Sequence, residues 1–262
     1  DFLVIHHVSS ISPESARVGE ELIIQGLDFP AEQGYVAFIG SDGYRISAWT
    51  ETLISVEVPE GARSGKVSVV AEDTLISNGV EFKVIPDIIE IIPPAAKTGE
   101  QVTIQGQGFG DSTAGCEVKF HRRKVTRFEK WTNEEIIVMV PNDAESGRVT
   151  VTNASGESKG VHFDVIPYLS RVNPSTAKVG DKVSLGGTGF GSSQGSSKVN
   201  FNGVDATIYV YWSINSIEVL VPSGAQSGDV TVTVGGHESN GEQIKIVGAP
   251  QITEITPDSA GV

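Results

Sequence analysis

One paragraph of sequence is written three times in this chain and begun a fourth time. The first copy runs Gly19-Glu20-Glu21-Leu22-Ile23-Ile24-Gln25-Gly26 and reaches Phe29 three residues on. It recurs as Gly99 through Gly106 with Phe109, and as Gly180 through Gly187 with Phe190. Trp49, Trp131 and Trp212 follow at intervals of 82 and 81, and Pro59, Pro141, Pro222 and Gly65, Gly147, Gly228 keep the same two intervals. A fixed period of this size marks an array of one structural unit. It also constrains function, because a residue found in one copy only cannot serve a role shared by all.

Within each copy the hydrophobic pattern is that of strands. Ile54-x-Val56-x-Val58-Pro59, Ile136-x-Val138-x-Val140-Pro141 and Ile217-x-Val219-x-Val221-Pro222 alternate with period two, as half-buried strands do. Each stops at a proline, which has no N–H to give to a ladder. Ser64 through Val69 and its counterparts follow after a short polar loop, so the two segments are expected to pair as a hairpin. Val80–Val84, Val161–Val165 and Gln243–Val247 read as the closing strand of each copy. No useful helical period is present, and six or seven short strands in about 80 residues point to an antiparallel β-sandwich.

Pro86 and Pro167 stand at the joints, where one copy's last strand runs straight into the next copy's first. Proline fixes φ there and restricts the residue before it, so stiff joints and an extended rod are expected. Phe2-Leu3-Val4-Ile5 matches Phe82 through Ile85, so residues 1–4 read as the last-strand remnant of a preceding repeat. The repeats themselves are expected at 5–86, 87–167 and 168–248, with 249–262 opening a further one. The chain reads as a segment of a longer array.

A formal net charge of −14 argues against nucleic acid or an anionic lipid surface as partner, since both attract clustered Lys and Arg. The one basic cluster, His121-Arg122-Arg123-Lys124, belongs to copy two alone and reads as a solvated strand or turn. No run approaches the roughly 18 apolar residues of a membrane helix, so no membrane insertion is expected in this segment. Cys116 is the single cysteine, which excludes an internal disulfide, and it reads as a half-buried structural thiol.

The search for chemistry yields no catalytic, cofactor-binding or metal-binding residue. Gly191-Ser192-Ser193-Gln194-Gly195 fits G-x-S-x-G, but a nucleophile elbow needs a strand before it and a helix after it, and here a loop leads into another strand. The Gly-rich pieces at Gly106 and Gly186 lack dinucleotide spacing. Five histidines show neither HExxH nor cysteine partners at zinc spacing; His6-His7 reads as interdomain surface. Asp87 and Glu90 offer oxygen ligands of the kind Ca²⁺ takes, yet without EF-hand or nonapeptide spacing. No cofactor is expected, with Ca²⁺ the one candidate cation. Among the aromatics, Tyr209 is expected in the core and Tyr211 exposed, and no row of exposed rings for a sugar is visible.

The whole pattern resembles the IPT/TIG domain, an immunoglobulin-like sandwich. It is carried by Ile-x-Pro near each start, Gly-x-x-hydrophobic-x-Ile/Leu-x-Gly-x-x-Phe, then Trp, I-x-V-x-V-Pro and Ser-Gly-x-Val-x-Val. The tight tandem spacing is similar to that of bacterial surface arrays. The resemblance implies a non-catalytic structural or adhesive stalk, or fibre segment, of a prokaryotic surface or secreted protein. It would act as a stiff spacer and interaction scaffold, outside the cell or on its surface. Its partners would be neighbouring repeats, further copies of the chain, a surface protein or a glycan. The alternative is a set of accessory modules in a glycan-binding protein or polysaccharide-degrading enzyme whose active domain lies elsewhere. Fold analogy alone does not choose between them.

Overall fold

The computed structural model of the chain describes residues 6–71 and 75–248, and the expected terminal pieces at 1–4 and 249–262 lie outside the described residues. Among the described residues every regular element is a strand. The first repeat contains β1 (His7–Ser12), β2 (Ser15–Ala16), β3 (Glu21–Leu27), β4 (Tyr35–Ile39) and β5 (Ser41–Gly43). Its second half contains β6 (Ile46–Trp49), β7 (Leu53–Glu57), β8 (Arg63–Ala71), β9 (Leu75–Ile76) and β10 (Val80–Val84). One sheet has the order β1-β3-β7-β6; the other runs β2-β10-β8-β4-β5, with β9 beside β8. The β2–β10 pair is parallel and the other pairs are antiparallel. The same two sheets recur between Asp87 and Val165 and between Tyr168 and Ile246.

The period-two alternation decides what lies between the sheets. Leu22 and Ile24 of β3, and Ile54 and Val56 of β7, are fully buried, as are Val36 and Val69 of the opposite sheet. Each such side chain contributes about 1.5–3 kcal/mol relative to exposure. Phe38 and Phe82 meet edge to face across the second sheet at 5.7 Å, and Phe120 and Phe163 do so at 5.1 Å in the second repeat.

The paired Gly and acid that open each repeated paragraph form a tight turn. Gly19, Gly99 and Gly180 take φ of 82°, 80° and 85°, a region that favours glycine. The following carboxylate turns back to accept the amide of the residue three before it: Glu20 from Arg17, Glu100 from Lys97 and Asp181 from Lys178, each at 2.8 Å.

The expected hairpin between Ile54–Val58 and Ser64–Val69 does not form. β7 pairs with β3 and β6, whereas β8 pairs with β4 and β10, so the two lie in opposite sheets. The chain crosses between them through a turn in which Ala62 N–H reaches the Pro59 carbonyl at 3.2 Å, and Ala62 itself is buried. Two buried apolar strands close in sequence satisfy the core equally well from facing sheets, and proline at the end of β7 favours the crossing over a continued ladder.

The described residues fall into two compact units, divided between Asp164 and Val165. Repeats one and two share the first. There Arg17, in repeat one, donates from Nη2 to the Glu157 carbonyl at 3.2 Å, and its Nε lies 3.8 Å from Asp87 Oδ1. Arg63 Nη1 meets Asp111 Oδ2 at 2.7 Å, and the hydroxyls of Ser64 and Ser155 lie 3.1 Å apart. Two residues, Ile85 and Pro86, separate β10 from the next strand at Asp87–Ile92.

Candidate functional site

The residues singled out for chemistry are not brought together. Ser193 sits exposed in a loop that leads into the strand Lys198–Phe201, with no helix after it. His121 through Lys124 is an exposed turn and edge strand, as expected. Asp87 faces Arg17, and among the described residues no three His, Cys, Asp or Glu side chains converge as a metal-ligand set. Cys116 is half-buried just before the strand Glu117–Phe120, with Sγ 3.2 Å from the Ser112 carbonyl, and burial pushes its thiol pKa up.

One sequence reading of these residues needs correction. His6 is not surface: it is 1% exposed, its Nε2 lies 3.0 Å from the Val69 carbonyl, and its ring meets Phe29 edge-on at 6.4 Å. It stands where the later copies have Pro86 and Pro167, which are also buried. These prolines therefore belong to packed interiors, and replacing either would disturb more than a joint. The imidazole bonds the Val69 carbonyl through Nε2 alone, and Nδ1 is buried without a hydrogen-bond partner among the described residues.

The tryptophans occupy equivalent places. Their Nε1 groups donate to the carbonyls of Pro30 (2.6 Å), Gly110 (3.0 Å) and Phe190 (2.9 Å), tying the β6 edge to the loop after β3. Phe128 and Tyr209 pack edge-on against Trp131 and Trp212 at 4.9 and 5.6 Å, where repeat one has Ile46. Tyr209 is half-buried, its hydroxyl accepting from Val199 N–H at 2.9 Å, and burial raises its pKa. Tyr211 is exposed, as expected.

Repeat one carries a surface that the other repeats lack. The β4–β5 register pairs Val36 with Gly43, which sets Tyr35 opposite Tyr44, and their rings lie 5.1 Å apart at a 37° tilt. Tyr44 is 65% exposed. Gly43 lets this edge sit close to the core, since a Cβ there would lie 2.9 Å from Val56 Cγ2. Beside Tyr44 opens a cleft of about 530 Å³, lined by Asp42, Arg45, Glu57, Pro59 and Glu60 among others. Arg45 Nη1 is held by Glu57 at 3.0 Å. A shallower hollow shares Tyr44, Arg45 and Glu57 and extends to Glu21 and Ser47. The Ser55 hydroxyl donates to Glu21 Oε1 and Ser47 Oγ lies 2.9 Å from that oxygen, and together they hold the carboxyl below its usual range.

The corresponding positions show how local this surface is. Tyr35 and Tyr44 become Glu117 and Thr126 in repeat two, and Lys198 and Thr207 in repeat three; Glu57 becomes Met139 and Leu220. Sequence reasoning missed the tyrosine pair because nine residues and a strand turn separate the rings. The detectable signal was an aromatic on each side of the Gly40-Ser41-Asp42-Gly43 segment.

Tandem immunoglobulin-like sandwiches, joined by two-residue links and without an assembled catalytic constellation among the described residues, define the class. The chain belongs to the IPT/TIG domain family, which matches it three times, at residues 7–84, 86–165 and 167–246. Cyclomaltodextrin glucanotransferase of Paenibacillus macerans is 36% identical over 112 residues, covering 39% of this chain and 15% of that protein. The enzyme of the same name from Geobacillus stearothermophilus is 31% identical over 110 residues with the same coverage. The chain therefore matches only a small part of these curated relatives. A surface glycan-binding protein from Prevotella bryantii superposes with a TM-score of 0.39 at 15% identity, covering 76% of this chain and 58% of that one. No helix among the described residues is long and apolar enough to cross a membrane.

Proposed function

We propose that this chain is a non-catalytic spacer of an extracellular or cell-surface protein that binds or processes polysaccharide. The observation that carries the proposal is the joint between repeats one and two. Two residues span it, and Arg17 and Arg63 reach across to Glu157, Asp87 and Asp111. A link this short, with side chains bonded from both sides, restricts bending, and such restriction is what a spacer needs to position another domain. The polysaccharide context rests on the glucanotransferases, which share more than 30% identity with part of this chain. An adhesive stalk or filament that self-associates through its sheet edges would use the same stiffness.

Small-angle scattering tests the mechanical part. A spacer three sandwiches long, at about 35–45 Å each, requires a radius of gyration above roughly 30 Å. A value near ~18 Å, that of a globule of this length, would remove the reading's physical basis. Joint stiffness is tested separately: Arg17→Ala with Arg63→Ala should broaden the distance distribution while leaving the sandwiches folded.

A further inference from the structure

We infer that the Tyr35–Tyr44 face of repeat one, with the cleft beside it, is a contact site for a neutral polysaccharide; the inference rests on the polysaccharide context proposed above. The rings meet the requirement for stacking against the C–H face of a pyranose, because Tyr44 presents its surface to solvent while Tyr35 braces it at 5.1 Å. Aromatic surface of this kind supplies contact area at low entropic cost, since a tyrosine has only two side-chain torsions to fix.

The neighbouring groups select the ligand class. Sugar hydroxyls need acceptors and donors in register with an apolar face, and Asp42, Glu57, Glu60 and Arg45 stand along the cleft that Tyr44 borders. Glu21 adds a carboxylate fixed by two serine hydroxyls in the adjoining hollow. Carboxylates outnumber the single guanidinium, and that guanidinium is held by Glu57. This excess of negative charge repels a uronic-acid or sulfated polymer. An apolar peptide would leave the carboxylates desolvated without partners, which is costly. A neutral, hydroxyl-rich chain satisfies both the rings and the acids.

Restriction to one repeat fits the same reading. The tryptophans and the Gly-x-x-Phe motif, which serve folding, recur in all three copies. Tyr35, Tyr44, Glu21 and Glu57 do not recur, and a single contact site is not expected to.

Affinity electrophoresis of the 262-residue chain tests this, with soluble starch, hydroxyethylcellulose and polygalacturonate each cast in native gels. At least one of the two neutral polymers should retard the wild-type chain, and polygalacturonate should not. Tyr44→Ala should weaken that retardation roughly tenfold or more, the usual scale for deleting an anchoring aromatic. Tyr44→Phe should retain most of it, and Tyr211→Ala, on repeat three, should leave it unchanged. Circular dichroism checks that each variant is folded. The inference is overturned if neither neutral polymer retards the chain, if Tyr44→Ala binds as wild type does, or if only the acidic polymer binds. Scattering from the same samples reports on the spacer independently, so either reading can fail while the other stands.

Discussion

The ring of Phe109 occupies the space that a side chain on Gly106 would need. An ideal Cβ on Gly106 would fall well inside van der Waals contact of Phe109 Cζ and of the Asp87 carbonyl. Gly26 with Phe29 and Gly187 with Phe190 repeat the arrangement. The Gly-x-x-Phe spacing is thus a packing relationship: the strand needs a gap, and the loop that follows folds a buried phenylalanine back into it.

Gly106→Ala should therefore destabilise the second repeat by about 1–3 kcal/mol, the cost of forcing volume into a packed interior. The obstruction includes backbone, which cannot rotate aside. Urea denaturation followed by Trp131 fluorescence, with the other two tryptophans replaced by phenylalanine, reads that repeat. An unchanged midpoint would contradict the packing account.

Asn78 makes a two-point bond to β1, with its Oδ1 accepting from Val8 N–H at 2.8 Å and its Nδ2 donating to the Val8 carbonyl at 2.9 Å. Asn240 repeats this on Leu169 at 3.0 and 2.7 Å, whereas repeat two has Lys159 at that position. Asn78→Ala should cost about 1–2 kcal/mol through the two lost bonds. Hydrogen exchange at the Val8 amide should accelerate in this variant, with no change at Leu169.

The Arg63–Asp111 pair crosses between repeats one and two, but both side chains are about half exposed, at 43% and 55%. Solvent screens such a pair, so a double-mutant cycle should give a coupling of only ~0.2–1 kcal/mol, diminishing in high salt. A coupling several times larger would mean that the joint excludes water far better than these exposures imply.

Glu21 supplies a pH-dependent observable. Its carboxyl is held below the ordinary range chiefly by Ser55, then by Ser47. A depressed folded-state pKa contributes stability above the unfolded value, and that contribution is lost as pH falls through the folded value. Ser55→Ala should move the Glu21 titration upward, toward that of an ordinary glutamate, in a carboxyl-resolved NMR titration. An unmoved titration would show that the hydroxyl does not govern the carboxylate.

Cys116 should react slowly. Burial raises its thiol pKa, so less thiolate is present at a given pH, and thiolate is the nucleophile. Its modification by an aromatic disulfide at mildly alkaline pH should lag well behind that of the urea-unfolded chain. Equal rates would place the thiol in open solvent.

Much of the fold was legible because repetition made the sequence its own comparison. Trp49, Trp131 and Trp212 share one role by their spacing alone, and the period-two runs at Ile54, Ile136 and Ile217 name their buried faces correctly. The same alignment assigned Tyr209 to the core, against which it packs half-buried, and Tyr211 to the surface, where it lies. The Tyr35–Tyr44 face was not legible, because these two residues have no aromatic counterparts in the other copies and each looks like an isolated aromatic.

By itself, the sequence determined the unit, the number of copies, the strands and their inward faces, since these depend on local periodicity and on where glycine and proline are tolerated. Tertiary structure decided that Ile54–Val58 and Ser64–Val69 face each other from opposite sheets instead of pairing. It also placed His6 in the interior, brought Tyr35 to Tyr44 and took Arg63 across to Asp111. Alternation specifies which side of a strand is buried but not which strand lies beside it. That choice depends on contacts between residues distant in the chain, whose free energy exists only once both sheets have closed over a common core.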